Sequence, residues 1–171
     1  MMKLGDAIEA LKPRERAIRI RRSKNADTRS AEHEVTKEEL LYSSEQHIGD
    51  VRQAMRYFAE CLLRVADRHD WTKIDGIDQF HKDFQQVQQH GGNFKELPWH
   101  RRHVSEERHH LTDRVPDDVN LFDVLERVAD ITMAGMARSG SVFSDSLPPD
   151  VLVKAYQNTI ELLKNEIIVE D

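Results

Sequence analysis

A chain of 171 residues, 39% hydrophobic and one third charged, is long enough for a single domain with a real core, and its formal net charge of −6 excludes non-specific nucleic-acid binding by the whole surface. No apolar run approaches the ~20 residues that span a bilayer, and the opening Met1-Met2-Lys3-Leu4-Gly5-Asp6 lacks the apolar stretch of a secretory signal. The single Cys61 excludes an internal disulfide, so a soluble protein of the reducing cytoplasm is expected, with no membrane contact and Cys61 itself a small core residue.

Residues 1–34 form a basic N-terminal arm. Arg14, Arg16, Arg19, Arg21, Arg22 and Lys24 crowd it, Pro13 interrupts any helix, and the stretch from Ser23 to Glu34 has no clear period. The arm reads either as a solvated tail docking on the acidic body or as a segment that contacts phosphate or nucleic acid.

From residue 35 the character changes, and 35–171 reads as one helical domain. Thr36 and Glu39 have capping-box spacing, and Val51, Met55, Phe58, Leu62 and Val65 recur at helical intervals, with His47 and His69 extending the stripe inward. A second helix is expected over Ile77 to Gln89, ended by His90-Gly91-Gly92-Asn93. Pro98 suits the first turn of a third, running to about His110. Asn120 caps a fourth, with Leu121, Val124, Leu125, Val128 and Thr132 on one face. Pro148-Pro149 opens the last, carrying Val151, Leu152, Ala155, Ile160, Leu163 and Ile167. No β-strand pattern is evident. The expected fold is all-α, of five to seven helices.

Chemistry concentrates in histidine and aspartate. His69-Asp70 offers a metal one imidazole and one anionic oxygen from consecutive positions, and a carboxylate can bridge two ions. Lys73, one turn on, suits a phosphate oxygen. Five of the nine histidines fall between His90 and His110. On a helix through His110, the side chains of His100, His103, Glu107 and His110 share about 80° of arc, whereas His109 points the other way unless the helix ends or tightens first. Asp130 shares a face with Asp123, Ala134 and Ala137, which is either close helix approach around a metal or a solvated acidic surface.

The set His47, His69-Asp70-x-x-Lys73, His103-x5-His109-His110 and Asp130 resembles the HD-type metal-dependent phosphohydrolases. From His47 to about Leu163 it is similar to a small uncharacterised family of phage and bacterial HD-like proteins, and Asn158-Thr159 fits that pattern. The resemblance implies one or two divalent ions (Mn, Fe, Co, Ni or Zn) held by His47, His69, Asp70 and Asp130, with Asp70 bridging to a second site completed by His103, His109 and His110. It implies catalytic roles for Asp70 and for Lys73 as phosphate contact, with a nucleotide or related phosphorylated small molecule as substrate. Arg101 or Arg102 would assist Lys73. Thr72 replaces the usual small residue, and Leu111-Thr112-Asp113-Arg114-Val115-Pro116 stands where the HD-GYP branch carries its signature, so cyclic-dinucleotide activity is not implied.

One geometric condition attaches to His47. On a straight helix the 22 residues to His69 span about 33 Å, so a shared ion needs a chain reversal between about Ala59 and Arg64; otherwise His47 serves elsewhere or reaches a partner subunit's site. The rival functional readings are an inactive HD-like metal-stabilised interaction module, such as a phage host-takeover factor, and a plain helical bundle with incidental histidines. The arm and the long amphipathic helix also suggest a homodimer.

Overall fold

The computed structural model describes residues 18–23, 31 and 33–170. Most of the basic arm, and so the choice between a docking tail and a nucleic-acid contact, lies outside them. The described chain is helical, with β1 (Ile18–Arg21), α1 (Lys37–Arg68), α2 (Trp71–Asp75), α3 (Ile77–His90), a 3-10 turn (Phe94–Glu96), α4 (Pro98–Glu106), α5 (Leu121–Ser139), α6 (Pro149–Asn165) and β2 (Ile167–Glu170) in order. No helix is long and apolar enough to cross a membrane among the described residues.

By internal contact the chain forms two units, Met1–Glu60 with Glu161–Asp171, and Cys61–Ile160. The first holds a parallel strand pair that the sequence reading lacks: Ile18 pairs with Ile167 and Arg21 with Glu170. Ile167 therefore belongs to a strand and not to the last helix. Its β-branched neighbours Ile168 and Val169 suit an extended chain, and the helix stops at Asn165.

α1 begins as expected. Thr36 N donates to Glu39 Oε2 (2.9 Å) and Glu39 N to Thr36 Oγ1 (3.2 Å), a closed capping box. Its inward face is not the expected one. Val51, Met55, Leu62 and His47 are exposed, whereas Ser43, Tyr57 and Cys61 are buried. The reason is polar: the Gln46 and Gln53 amides donate to the Arg21 and Arg19 carbonyls (3.0 and 3.1 Å), so the strand's backbone is satisfied by glutamines and the apolar stripe faces outward.

The second unit is built around the functional elements. Its small apolar core is Leu111, Val119, Val151 and Ala155, with Leu121, Val124 and Leu147 against it. Leu125, Val128, Leu152 and Ile160, expected inside, are exposed. Asn120 closes a capping box with Asp123 at the start of α5. Thr159 Oγ1 accepts from Leu121 N (2.9 Å), and Asn158 Nδ2 donates to Val119 O (2.8 Å), so α6 pins the entry to α5. An aromatic stack of Phe80 on Trp99 (3.8 Å between centroids) joins α3 to α4, and buried Asp83 accepts from Trp99 N (2.8 Å) at the start of α4.

Gly135 marks a close crossing. A Cβ there would meet Ser141 O at 2.6 Å and Phe143 N at 2.7 Å, both backbone atoms. The same loop carries Asp145, which accepts from Arg127 through both carboxylate oxygens (2.6 and 2.9 Å), and Arg127 in turn donates to the His109 carbonyl (3.3 Å). Gly135→Ala is expected to cost about 2–3 kcal/mol by overpacking, read as a melting temperature lowered by about 5–10 °C. An unchanged melting temperature contradicts the close crossing.

Candidate metal centre

The centre starts from a break in the chain. α1 ends at Arg68, and Asp70 takes a left-handed conformation (φ 54, ψ 25), the single non-glycine positive φ among the described residues. Aspartate tolerates that region better than most residues, yet at some cost, and such strain collects at functional sites. The reversal turns His69 and Asp70 toward α4, α5 and the segment after α4.

Six side chains converge there. His69 Nε2 lies 3.3 Å from Asp70 Oδ2 and 3.8 Å from Asp130 Oδ1. His103 Nε2 and His109 Nε2 lie 3.5 and 3.7 Å from Asp70 Oδ1, and His110 Nε2 faces His103 Nε2 at 2.8 Å. Two trios share Asp70: His69, Asp70 and His109 on one side, Asp70, His103 and His110 on the other, the ligand atoms of each lying within 4.8 Å of one another. Around a tetrahedral ion with bonds of ~2.0–2.1 Å, ligand atoms sit about 3.3 Å apart, so these separations fit the edges of a coordination shell.

Hydrogen bonds on the far side of the rings fix which nitrogen faces inward. Thr72 Oγ1 donates to Glu107 Oε1 (2.7 Å) and so accepts from His103 Nδ1 (2.6 Å). The bare Nε2 of His103 then lies between His110 Nε2 (2.8 Å), from which it can accept, and Asp70 Oδ1 (3.5 Å), to which it offers no proton. Glu126 does the same for His69: its Oε1 accepts from Nδ1 at 2.9 Å and also lies 3.0 Å from His109 Nδ1, an approach that is not an aligned hydrogen bond. Asp70 Oδ1 is buried with no hydrogen-bond partner at all. Lone pairs crowded around an orphaned buried carboxylate oxygen lack a positive charge, and a cation supplies it. The residues present therefore fit a metal ion.

The electrostatics agree. Burial, then the charge of His110, holds His103 down to about 3, and burial with His109 holds His110 down to about 4, so both rings are neutral ligands near neutral pH. Burial opposes ionisation of Asp70, but the hydrogen bond and charge of Lys73, with His69 and His103, bring it below the usual carboxylate range. Glu126 is likewise lowered, burial being outweighed by His109 and His69, and His109 is raised because Glu126, Asp70 and Asp130 outweigh its own burial.

The expected residues divide clearly. His69, Asp70, His103, His109, His110 and Asp130 are brought together, and Lys73 Nζ pairs with Asp70 Oδ2. His47 is not: it is exposed, and the reversal it needs between Ala59 and Arg64 does not form, because Lys37–Arg68 is unbroken helix. α4 stops at Glu106, four residues short of the expected end, which frees both His109 and His110 to turn inward. Glu107, now extended, holds Thr72 and is no part of a helical stripe, and His100 packs edge-on against Phe94 (5.8 Å). Arg102 is committed to Asp75 (2.6 Å) and Glu106 (3.1 Å) and lies over the Trp71 ring, so it is not free for a substrate.

Two residues escaped the sequence reading. Glu126 stands one turn before Asp130 and three residues after Asp123, so the acidic face of α5 held the signal. Thr72 had none, because its role depends on contacts 31 and 35 residues away. No protein-family model, curated protein or solved structure matches the chain.

Proposed function

We propose that the protein is a metal-dependent phosphohydrolase of the HD type, acting on a nucleotide or a related phosphate ester. The observation that carries this reading is the Asp70 carboxylate, buried on one oxygen without a hydrogen bond and faced from both sides by imidazole nitrogens. His69, Asp70, His109 and Asp130 would hold one divalent ion, and His103, His110 and Asp70 a second. Such ions would screen the phosphate and lower the pKa of a water toward neutrality. The mixed imidazole and carboxylate set suits Mn, Fe, Co, Ni or Zn better than Mg.

The remaining groups act on the substrate. Lys73 is part-exposed and paired with Asp70 Oδ2, so its ammonium stands beside the cluster where it would neutralise a non-bridging phosphate oxygen. Thr72 and Glu126 hold the rings of His103 and His69 in the orientation that presents Nε2 inward. A reducing cytoplasm suits the free Cys61 thiol.

Elemental analysis of the purified protein tests the reading, followed by a screen of nucleotides and bis-p-nitrophenyl phosphate with Mn²⁺. One or two equivalents of transition metal and turnover on at least one substrate are expected. Bound metal with no turnover on any substrate favours a metal-stabilised interaction module. No metal, and no thermal stabilisation on adding it, removes both readings and leaves a helical bundle.

A further inference from the structure

The two sets of ligands differ in what already occupies them. In the set of His69, Asp70, His109 and Asp130, no hydrogen bond joins two ligand atoms. His69 gives its ring proton to Glu126 Oε1 through Nδ1 (2.9 Å), so its Nε2 is bare and turned to Asp70 Oδ2 and Asp130 Oδ1. Lys73 takes one lone pair of Asp70 Oδ2 and leaves the rest, including both on the orphaned Oδ1. An ion meets this set ready to ligate.

The set of Asp70, His103 and His110 is shut. Thr72 Oγ1 donates to Glu107 Oε1 (2.7 Å) and accepts from His103 Nδ1 (2.6 Å), which leaves His103 Nε2 bare. His110 Nε2 lies 2.8 Å from it and is therefore the donor. The proton of the His110 ring thus sits between the two nitrogens that would hold the ion. The pair is also too close, since ligand atoms around a tetrahedral ion stand about 3.3 Å apart. For an ion to enter, the His110 ring must draw back and carry its proton on Nδ1 instead. The ring exchanges that proton between its own nitrogens and gains or loses none.

An acceptor for it faces Nδ1. Asp113 N donates to the His110 carbonyl (3.0 Å), and the turn this closes brings Asp113 Oδ2 to 3.9 Å from His110 Nδ1. That is too long for a hydrogen bond, as expected while Nδ1 is bare. Asp113 meanwhile accepts from Thr112 Oγ1 (3.5 Å) and pairs with Lys95 (3.7 Å). A carboxylate behind a ligating imidazole fixes its tautomer and raises its basicity. Glu126 already does this for His69. Asp113 does it for His110 only once that ring has turned its proton outward.

We infer that the centre loads in order: the first ion enters at His69, Asp70, His109 and Asp130, and the second enters only when the His103–His110 hydrogen bond opens, with Asp113 as the positioning residue that takes the Nδ1 proton of His110. The inference rests on the metal reading above and adds an order to it. Calorimetric titration of the chelator-stripped full chain with Zn²⁺ is expected to show two events of one equivalent each. The second should be about tenfold weaker or more, because it breaks a hydrogen bond and gains one protein ligand fewer. His110→Ala is expected to abolish the second event and keep the first. Asp113→Ala is expected to weaken the second about 10–100-fold and leave the first unchanged. Long-range proton–nitrogen NMR of the histidine rings reads the tautomers in the parent chain and decides the matter if a variant fails to fold. At one equivalent of Zn²⁺ the His110 proton should stay on Nε2, and at two it should be on Nδ1. Two events of equal affinity, a single event however much Zn²⁺ is added, or a His110 proton that moves with the first equivalent overturns the ordered loading and leaves the metal reading standing. Parent-like binding of both ions by Asp113→Ala overturns the role of Asp113. No bound Zn²⁺ at all overturns the inference together with the metal reading.

Discussion

Asp70→Gly is expected to abolish metal binding and turnover while leaving the metal-free protein as stable as its parent. Asp70 is the one ligand common to the two trios assigned to ions, so its loss dismantles both and leaves only the separate Glu107, His109 and Glu126 group, and the effect on turnover should exceed 10³-fold if the metal supplies the nucleophile. Its contribution to folding is small by contrast. Glycine occupies the left-handed conformation without the ~1 kcal/mol strain of a side chain. The lost ion pair with half-exposed Lys73 is worth about 0–1 kcal/mol. These terms nearly cancel, so the metal-free melting temperature should stay within a few degrees, whereas the rise on adding metal should vanish. A large fall in the metal-free melting temperature instead makes Asp70 a structural residue and defeats the assignment.

Glu126→Gln is expected to weaken metal binding about 10–100-fold, the range typical of losing a carboxylate that orients a ligating histidine. The single Oε1 now serves His69 and stands against His109, holding both rings with one negative charge. An amide keeps the size but loses the charge and offers an N–H where an acceptor is needed. Competition against a chromogenic chelator gives the affinity. The absorption bands of the Co²⁺-loaded protein report ring orientation, which a merely structural role would not move. Unchanged affinity and unchanged bands show that His69 and His109 are positioned by packing alone.

What could be read from the sequence follows the range of the forces involved. The capping box at Thr36, the start of α5 at Asn120 and the end of α3 at the Gly91-Gly92 pair are local, and all three were legible. The pairing of 18–21 with 167–170 links segments too distant for any local pattern, so Ile167 read as helix. The outward turn of Val51 and Met55 was hidden for a related reason: periodicity shows that a helix has an apolar face, but not what covers it. Of the candidate ligands, six of seven converge. The seventh, His47, fails on the condition that its spacing already imposed. His109 entered the cluster because α4 ends at Glu106, and the boundaries of elements are the hardest thing to read from sequence. Thr72 and Glu126 belong to the layer behind the ligands, where residue types are ordinary and only the contact reveals the task.

The parallel strand pair also constrains how the molecule is made. Ile18 emerges from the ribosome 149 residues ahead of its partner Ile167. At roughly 5–20 residues per second, that is a wait of about 7–30 s. During it, β1 offers an unsatisfied backbone edge to any extended segment nearby, the situation in which nascent chains exchange strands or aggregate. A shortened chain ending before Ile167 would keep that edge open permanently. Expression trials should therefore show such truncations to be sticky and poorly recovered, even though every helix is intact.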